Sequence, residues 1–319
     1  MLRGHAATLD SRHAPTGCQN PGVKILVSGA SGMIGSVLVP ALRAAGHDVL
    51  RLVRREEAAS GEIRWDPAAG ELDAARLQGV DAVVSLSGAN VGKRWTDVRK
   101  REILDSRVRP NELLARTAAA LDPRPTVFVS AGGTGIYGNR GDEILTEDSA
   151  LGSGFLADVG KAWAAAADPA RDADIRVVTF RQGVVLTRRG GALARMLTPF
   201  KLGVAGRIGS GKQWFPWVTV EDLVAAYAFV VESDLAGAVN LTAPNPVTNG
   251  QFANALGKAI RRPTVIPTPA LAIRTLYGEM GEAVLLEGQR VLPARLTDAG
   301  FEFSAPTIDV GLARALADN

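Results

Sequence analysis

A glycine-punctuated turn between an apolar run and an amphipathic stretch constrains this chain more than any other feature. Val23-Lys24-Ile25-Leu26-Val27-Ser28 has the near-continuous apolar character of a strand buried on both faces. Gly29-Ala30-Ser31-Gly32-Met33-Ile34-Gly35 follows at once. Ile34, Val37, Leu38, Ala41, Leu42 and Ala45 then recur at helical spacing up to Gly46. A second apolar strand, Asp48-Val49-Leu50-Arg51-Leu52-Val53, stops at Arg54-Arg55. Strand, glycine turn, helix and strand together have the size of a βαβ crossover, which commits the chain to a parallel sheet. Pro40 within the predicted helix removes one backbone donor and predicts a bend.

Further buried-type strands read at 81–86, 126–130 and 176–180, separated by helical stretches around 96–120 and 155–168. This alternation predicts an α/β protein of Rossmann type, a doubly wound parallel sheet. From about residue 188 the texture changes to Gly- and Pro-rich loops among shorter helices, which predicts a smaller, mixed α/β C-terminal substrate lobe. The expected organisation is a leader at 1–22, a dinucleotide-binding domain at 23–187, and a lobe at 188–319 with some elements returning to the sheet.

A turn of this kind suits a pyrophosphate. Gly29 permits the tight turn, Gly32 lets phosphate approach the backbone, and Gly35 lets helix pack on strand. The helix start offers unpaired N–H groups and a partial positive charge, contributed by Ser31, Met33 and Ile34. An acidic residue at the end of the second strand would select NAD, whereas this chain has Val53-Arg54-Arg55. A guanidinium pairs bidentately with a 2′-phosphate, so the expected cofactor is NADP(H). The alternative for the same residues is a plain αβ turn with a solvated, arginine-rich strand end.

Composition removes whole classes of chemistry. The chain has three His and one Cys, and His5, His13 and Cys18 all fall in the leader. A body whose only such residue is His47 can build no His/Cys zinc site, no Ser-His-Asp triad and no Cys-His pair. No metal is expected. Lack of Cys beyond position 18 fits a reducing compartment, and the expected location is cytoplasmic. A formal net charge of +3 hints at anionic ligands and gives no footprint for nucleic acid. No run of eighteen apolar residues is present, so no membrane span is expected, and the leader lacks the apolar core of a secretory signal.

The residues resemble the extended short-chain dehydrogenase/reductase superfamily. More narrowly they resemble its NAD(P)-dependent epimerase-family branch with a C-terminal domain of unknown function (DUF1731-type). The stretches that carry the resemblance are ILVSGASGMIGSVL, DAVVSLSGANV, KRWTDVRKREILDSRV, GIYGNRGDEILTED, GGALARMLTPFKLGVAGRIGSGKQWFPWVTVEDL, NLTAPNPVTN and LLEGQRVLPARL. They span about Val23 to Leu316. The resemblance implies cofactor contacts at the glycine turn, Val53, Arg54, Leu86, Ser87, Glu102, Arg107 and Val185. The residues lend support at Leu86-Ser87-Gly88, which closes a buried strand at the edge that faces the crevice. Arg107 is a plausible phosphate partner from its charge, while Glu102 alone reads as a surface residue.

Members of the superfamily typically use a Ser or Thr with Tyr-x-x-x-Lys, a spacing that sets both side chains on one helix face. Here the aligned Tyr position is Phe155, the aligned Lys position is Val159, and the upstream hydroxyl position is Gly133. The branch usually has Trp-Glu in this helix, but Trp163 is followed by Ala164. Lys161 lies about 200° around the helix from the vacant Lys position. Tyr137 is the best candidate acid and Thr134 a second catalytic candidate, with Ser130 a candidate cofactor contact at the expected nicotinamide site; a packing role is the alternative for Tyr137. Tyr227 and Tyr277 lie in apolar helical settings and read as core. Arg207, Lys212, Gln213, Trp214 and Trp217 read as substrate contacts for a planar or phosphorylated ligand, or else as a rigid interdomain loop held by aromatic packing. Asp222 reads as a helix cap.

Two functions follow as expectations. One is an NADP(H)-dependent oxidoreductase acting on an unknown small molecule without the Tyr-Lys pair, as a monomer or homodimer. The other is a non-catalytic NADP-binding regulator or scaffold. A nucleotide-sugar epimerase is disfavoured, because oxidising a sugar hydroxyl needs a base.

Overall fold

Successive residues of each predicted strand turn to opposite faces of one sheet. Ile25 and Val27 enter one apolar core while Leu26 enters another, and Val84 and Val83, Val129 and Phe128, and Val178 and Val177 divide the same way. A computed structural model of the chain describes residues 22–56 and 58–317. The predicted leader therefore lies outside the described residues, apart from Gly22.

The first strands are β1 (Lys24–Ser28), β2 (Asp48–Val53), β3 (Glu62–Asp66), β4 (Glu71–Leu72), β5 (Ala82–Ser85) and β6 (Val127–Ser130). Then come β7 (Ile144–Leu145), β8 (Arg176–Gln182), β9 (Val184–Leu186), β10 (Trp214–Phe215) and β11 (Trp217–Thr219). β12 (Gly237–Leu241), β13 (Val247–Thr248) and β14 (Arg290–Val291) complete them. Eight of these form the main sheet, in the order β12-β8-β6-β5-β1-β2-β3-β4. All neighbours in it run parallel except β4, which is antiparallel to β3. The order reverses at β1, as in a doubly wound sheet, so a crevice opens beyond the carboxyl ends of β1 and β5.

Helix α1 (Gly35–Ala44) covers one face through Leu38, Val39 and Leu42, and carries the exposed Pro40 within it. α2 (Asp97–Ala119) covers the opposite face with Leu114, Ala115 and Ala118. α3 (Phe155–Ala165) packs beside α2, and α4 (Asp168–Asp172) follows it. α5 (Gly191–Lys201) belongs to a second core, whereas α6 (Val220–Glu232) returns to the α1 face of the sheet. α7 (Asn249–Ile260), α8 (Ala270–Tyr277), α9 (Glu279–Gly281), α10 (Ala294–Asp298) and α11 (Ile308–Ala317) complete the chain. The second core joins Leu193, Leu197 and Phe200 of α5 to Trp217, to Phe252 of α7 and to Leu312 of α11.

Several expectations need correction. Thr219, not Asp222, caps α6, accepting from the Asp222 N–H at 3.2 Å. Asp222 instead accepts the Ser304 and Ala305 N–H groups at 2.8 and 3.1 Å and anchors the segment before α11. Tyr277 is 38% exposed and is not core, while Tyr227 is fully buried as expected. β3, β4 and β12 had no sequence signal. In β3 a buried glutamate, Glu62, breaks the apolar pattern and is sustained by arginines on β2 and the segment after it.

Candidate functional site

The glycine turn occupies the carboxyl end of β1, and its three glycines do different work. A Cβ at Gly29, where φ is +68°, would sit 2.8 Å from the Leu86 backbone, so the turn lies hard against the strand end of β5. At Gly35 a Cβ would meet the Gly29 carbonyl at 2.4 Å, and this close fit seats α1 on the turn. Gly32 would meet only the Gly29 carbonyl, at 3.1 Å, and is otherwise open. α1 has no side-chain N-cap, and among the described residues no backbone hydrogen bond of the turn uses the N–H groups of Met33 or Ile34. Ser31 is exposed on the same turn. An uncapped helix start beside an open glycine is a ready anion seat, so these residues fit a dinucleotide pyrophosphate.

The end of β2 separates its two arginines. Glu62 is buried and accepts from Arg51 at 2.7 Å, from the Ala59 N–H at 2.8 Å and from Arg55. The Arg55 hydrogen bond, foremost, holds the Glu62 carboxyl below its ordinary range. Arg55 is thereby committed to the protein. Arg54, by contrast, is exposed, and makes no ion pair or side-chain hydrogen bond with the described residues. It stands next to half-buried Val53 with its guanidinium available to a phosphate.

Beyond β5 the chain is held by polar contacts. The Leu86 N–H donates to the Ser28 carbonyl at 3.3 Å, and Ser87 Oγ lies 3.1 Å from Ser28 Oγ. Gly88 leaves room for Arg107, whose guanidinium carbon would lie 3.2 Å from a Cβ there. Arg107 donates to the Ala89 and Ile103 carbonyls, each at 2.9 Å, and stacks 5.0 Å from the Trp163 ring centre. Burial first, and the neighbouring Arg99 second, lower its pKa to about 10. Exposed Glu102 pairs with Arg99 at 2.5 Å. Met33 reaches the other wall, where its Sδ would lie 2.9 Å from a Cβ at Gly191, the first residue of α5. Val185 is buried in β9 with its side chain in the main core.

The face where the superfamily places Tyr and Lys is filled with hydrocarbon. Val159 packs in a cluster with Trp95, Ile103 and Met280, all buried. Phe155 stacks edge-on to Trp95 at 4.8 Å, with Lys100 Nζ 5.1 Å from its ring centre. Lys161 points elsewhere and pairs loosely with Asp158 at 3.7 Å.

The structure corrects the expected role of Tyr137. Its side chain is fully buried, its hydroxyl proton lies between Asn240 Oδ1 at 2.6 Å and the Thr146 carbonyl at 2.9 Å, and its oxygen accepts from Arg181 at 2.7 Å. Burial pushes its pKa up, only partly offset by Arg181. A phenol sealed in this way supports packing and has no route to a substrate. Ser130, expected to touch the cofactor, is fully buried, and its hydroxyl is instead shared between Asn111 Oδ1 at 3.2 Å and the Ala131 carbonyl at 3.1 Å. Thr134 is buried with its side-chain hydroxyl unbonded among the described residues.

The Arg207–Trp217 loop is largely spent on itself. Gln213 donates to the Ile208 and Leu285 carbonyls at 3.1 and 2.8 Å, and Trp217 is core, so both lose their expected substrate contacts. Arg207 donates to the Ser210 carbonyl at 2.9 Å. Trp214 donates to Asp142 at 2.9 Å beneath the stacked Arg290, and Lys212 is exposed. Sequence reasoning missed Asn111, Arg195, Arg181 and Met280, whose partners lie far away in the chain. No cluster of three or more His, Cys, Asp or Glu side chains that could hold a metal occurs among the described residues, nor a helix long and apolar enough to cross a membrane.

Residues 25–241 match the model of the NAD dependent epimerase/dehydratase family, and residues 268–315 match that of a domain of unknown function, DUF1731. An epimerase family protein of Mycobacterium bovis is 44% identical over 293 residues, covering 91% of this chain and 97% of its own. The human epimerase family protein SDR39U1 is 36% identical over 300 residues, covering 92% of this chain and all of its own. A crystal structure of that human protein with NADPH superposes with a TM-score of 0.84 at 34% identity, over 93% of this chain and 100% of that one.

Proposed function

The chain belongs to the NAD dependent epimerase/dehydratase family, and from that premise we propose that it is an NADP(H)-dependent oxidoreductase that works without a Tyr-Lys proton relay. The observation that carries the cofactor choice is the division of labour at the end of β2. Glu62 absorbs Arg51 and Arg55, which leaves Arg54 as the cation for a 2′-phosphate. The human relative solved with NADPH supports the same choice.

When bound, the nicotinamide cofactor supplies hydride. The protein's part is to bind and orient. The Met33 and Ile34 N–H groups and the start of α1 hold the pyrophosphate, with Ser31 at the same turn. Arg54 fixes the adenosine phosphate, beside Val53. Leu86, Ser87 and Gly88 line the crevice, and Arg107, stacked on Trp163, brings a cation to the region from which the usual lysine is missing. Thr134 orients a substrate oxygen through its spare hydroxyl, and the proton comes from water or the substrate itself. Oxidation of an unactivated sugar hydroxyl needs a base at that oxygen, and Phe155, Val159 and the sealed Tyr137 offer none. Reduction of an activated carbonyl, enone or imine needs a proton rather than a base, and water can supply it once hydride has been transferred.

A second role, a non-catalytic NADP(H)-binding regulator, draws support from one observation: the packing of Trp95 and Met280 over Val159 closes the usual proton-relay face. An NADPH-consumption screen over carbonyl, enone and imine panels separates the two. Turnover that survives Tyr137→Phe supports the reductase. A wild type that binds NADPH tightly and stays silent on every panel refutes the reductase and leaves the regulator.

A further inference from the structure

Arginines from two helices converge on three carbonyls of one loop. The loop from Ala89 to Trp95 leaves the carboxyl end of β5, the edge at which open α/β sheets bind their ligands. Arg107 donates to the Ala89 carbonyl at 2.9 Å, Arg99 donates to that of Asn90, and Arg195 of α5 donates to that of Gly92 at 3.0 Å. Asn90 tightens the same loop by accepting the Gly92 N–H at 2.7 Å. Gly92 also leaves space for Arg195, whose Nη1 would lie 3.1 Å from a Cβ there.

A carbonyl fixes a guanidinium in place without neutralising it. Each group has five N–H donors and spends only a few on the protein, so donors and charge both remain available. Among the described residues Arg99 has one carboxylate partner, the exposed Glu102, and Arg107 and Arg195 have none. Three guanidinium groups thus share one carboxylate, and Arg99 lies near enough to depress the pKa of Arg107. Like charges held together at a ligand-facing edge, on rigid backbone acceptors, are the arrangement an anion relieves.

This feature adjoins the cofactor turn but uses other side chains. α5 begins against Met33, and Arg195 lies further along the helix, reaching over to the Asn90–Gly92 segment. Arg107 is already placed with the cofactor, and the Arg207–Trp217 loop has spent most of its polar groups on itself. We propose that Arg99 and Arg195 form an anion-binding end of the substrate site, so that the substrate carries a carboxylate or phosphate group seated over Asn90–Gly92. This rests on the NADP(H)-dependent reading above.

The test is calorimetric titration of the NADPH-saturated protein with inorganic phosphate and, separately, with malonate. One anion site is expected, weakened about tenfold by Arg195→Ala and less by Arg195→Lys. Arg109→Ala, which removes an exposed α2 arginine paired with Asp105, leaves it unchanged. The stronger of the two anions gives the substrate's group, while NADPH affinity in Arg195→Ala stays within about twofold. The proposal is overturned if neither anion binds, if Arg195→Ala binds them as well as wild type does, or if Arg195→Ala loses NADPH itself. A wild type that takes up no NADPH refutes the cofactor reading before any anion is added, and the same titration on the nucleotide-free protein then decides the anion site alone.

Discussion

Two sides of one crevice have been finished in opposite ways. At the carboxyl end of β1 and β2 polar groups are left open: an uncapped α1, a bare Gly32 and an Arg54 with no ion pair among the described residues. Across the crevice, on α3, the positions that carry Tyr and Lys in the superfamily are closed by packing, with Val159 beneath Trp95 and Met280. Open donors cost stability unless a ligand or water satisfies them, whereas buried hydrocarbon stabilises the fold by itself. The contrast teaches that this chain leaves polar groups open at the glycine turn while the α3 face aligned with the usual proton relay is packed as core.

The sharpest way to break the contrast is to rebuild the relay. Val159→Lys puts an ammonium among the buried Trp95, Ile103 and Met280 side chains, where Glu279, next to Met280, is already paired with Lys100 at 2.5 Å. A loss of roughly 3 kcal/mol or more is expected in denaturant unfolding. A variant that folds with full stability would show that the face is an open site after all.

Tyr137→Phe tests the other lost proton donor. Arg181 and Asn240 would be left with buried, unsatisfied groups, at a cost of about 1–3 kcal/mol, with NADPH binding unchanged. Loss of NADPH affinity without loss of stability would return Tyr137 to the site. Because burial raises its folded pKa above the unfolded value, the stability it lends is complete below about pH 10 and fades as pH rises further. The variant's alkaline unfolding limb should therefore be flatter than that of wild type.

Gly35→Ala sharpens the opposite side. A Cβ 2.4 Å from the Gly29 carbonyl forces α1 away from the turn, with an expected destabilisation of about 1–3 kcal/mol and weakened NADPH binding. Normal affinity would mean that the turn does not hold the pyrophosphate.

The smallest effect concerns Glu62. Its carboxyl is held below the ordinary range chiefly by the Arg55 hydrogen bond, so its contribution is present above an unfolded pKa near 4.5 and lost as pH falls through the lower folded value. Glu62→Gln should flatten the acid limb of thermal stability. It also removes the carboxylate that pairs with Arg51, and a rise in NADPH affinity would show that Arg54 is not the only arginine that can serve the phosphate.

Much of the fold was legible because periodicity is local. The alternation of Ile25, Leu26 and Val27 and the helical spacing of Val37, Leu38 and Leu42 are written within a dozen residues. β3 was not legible, because Glu62 reads as a surface charge until β2 supplies Arg51. That the glycine turn follows β1 and Arg54 follows β2 was legible for the same local reason. The fate of Tyr137 could not, since Arg181 and Asn240 lie 44 and 103 residues away. Gln213 and Trp217 misled in the same manner: polar and aromatic side chains look like ligand contacts until Leu285 and the second core claim them.

If the crevice holds NADP(H) as proposed, its preference for the 2′-phosphate rests on Arg54, which makes no ion pair or side-chain hydrogen bond among the described residues. Titration of wild type and Arg54→Ala with NADPH and NADH, followed by nucleotide fluorescence, tests it most directly. Loss of a charge-assisted pair predicts NADPH binding weakened by about tenfold or more, with NADH binding unchanged. Equal loss for both nucleotides, or a preference for NADPH that survives the substitution, would contradict it.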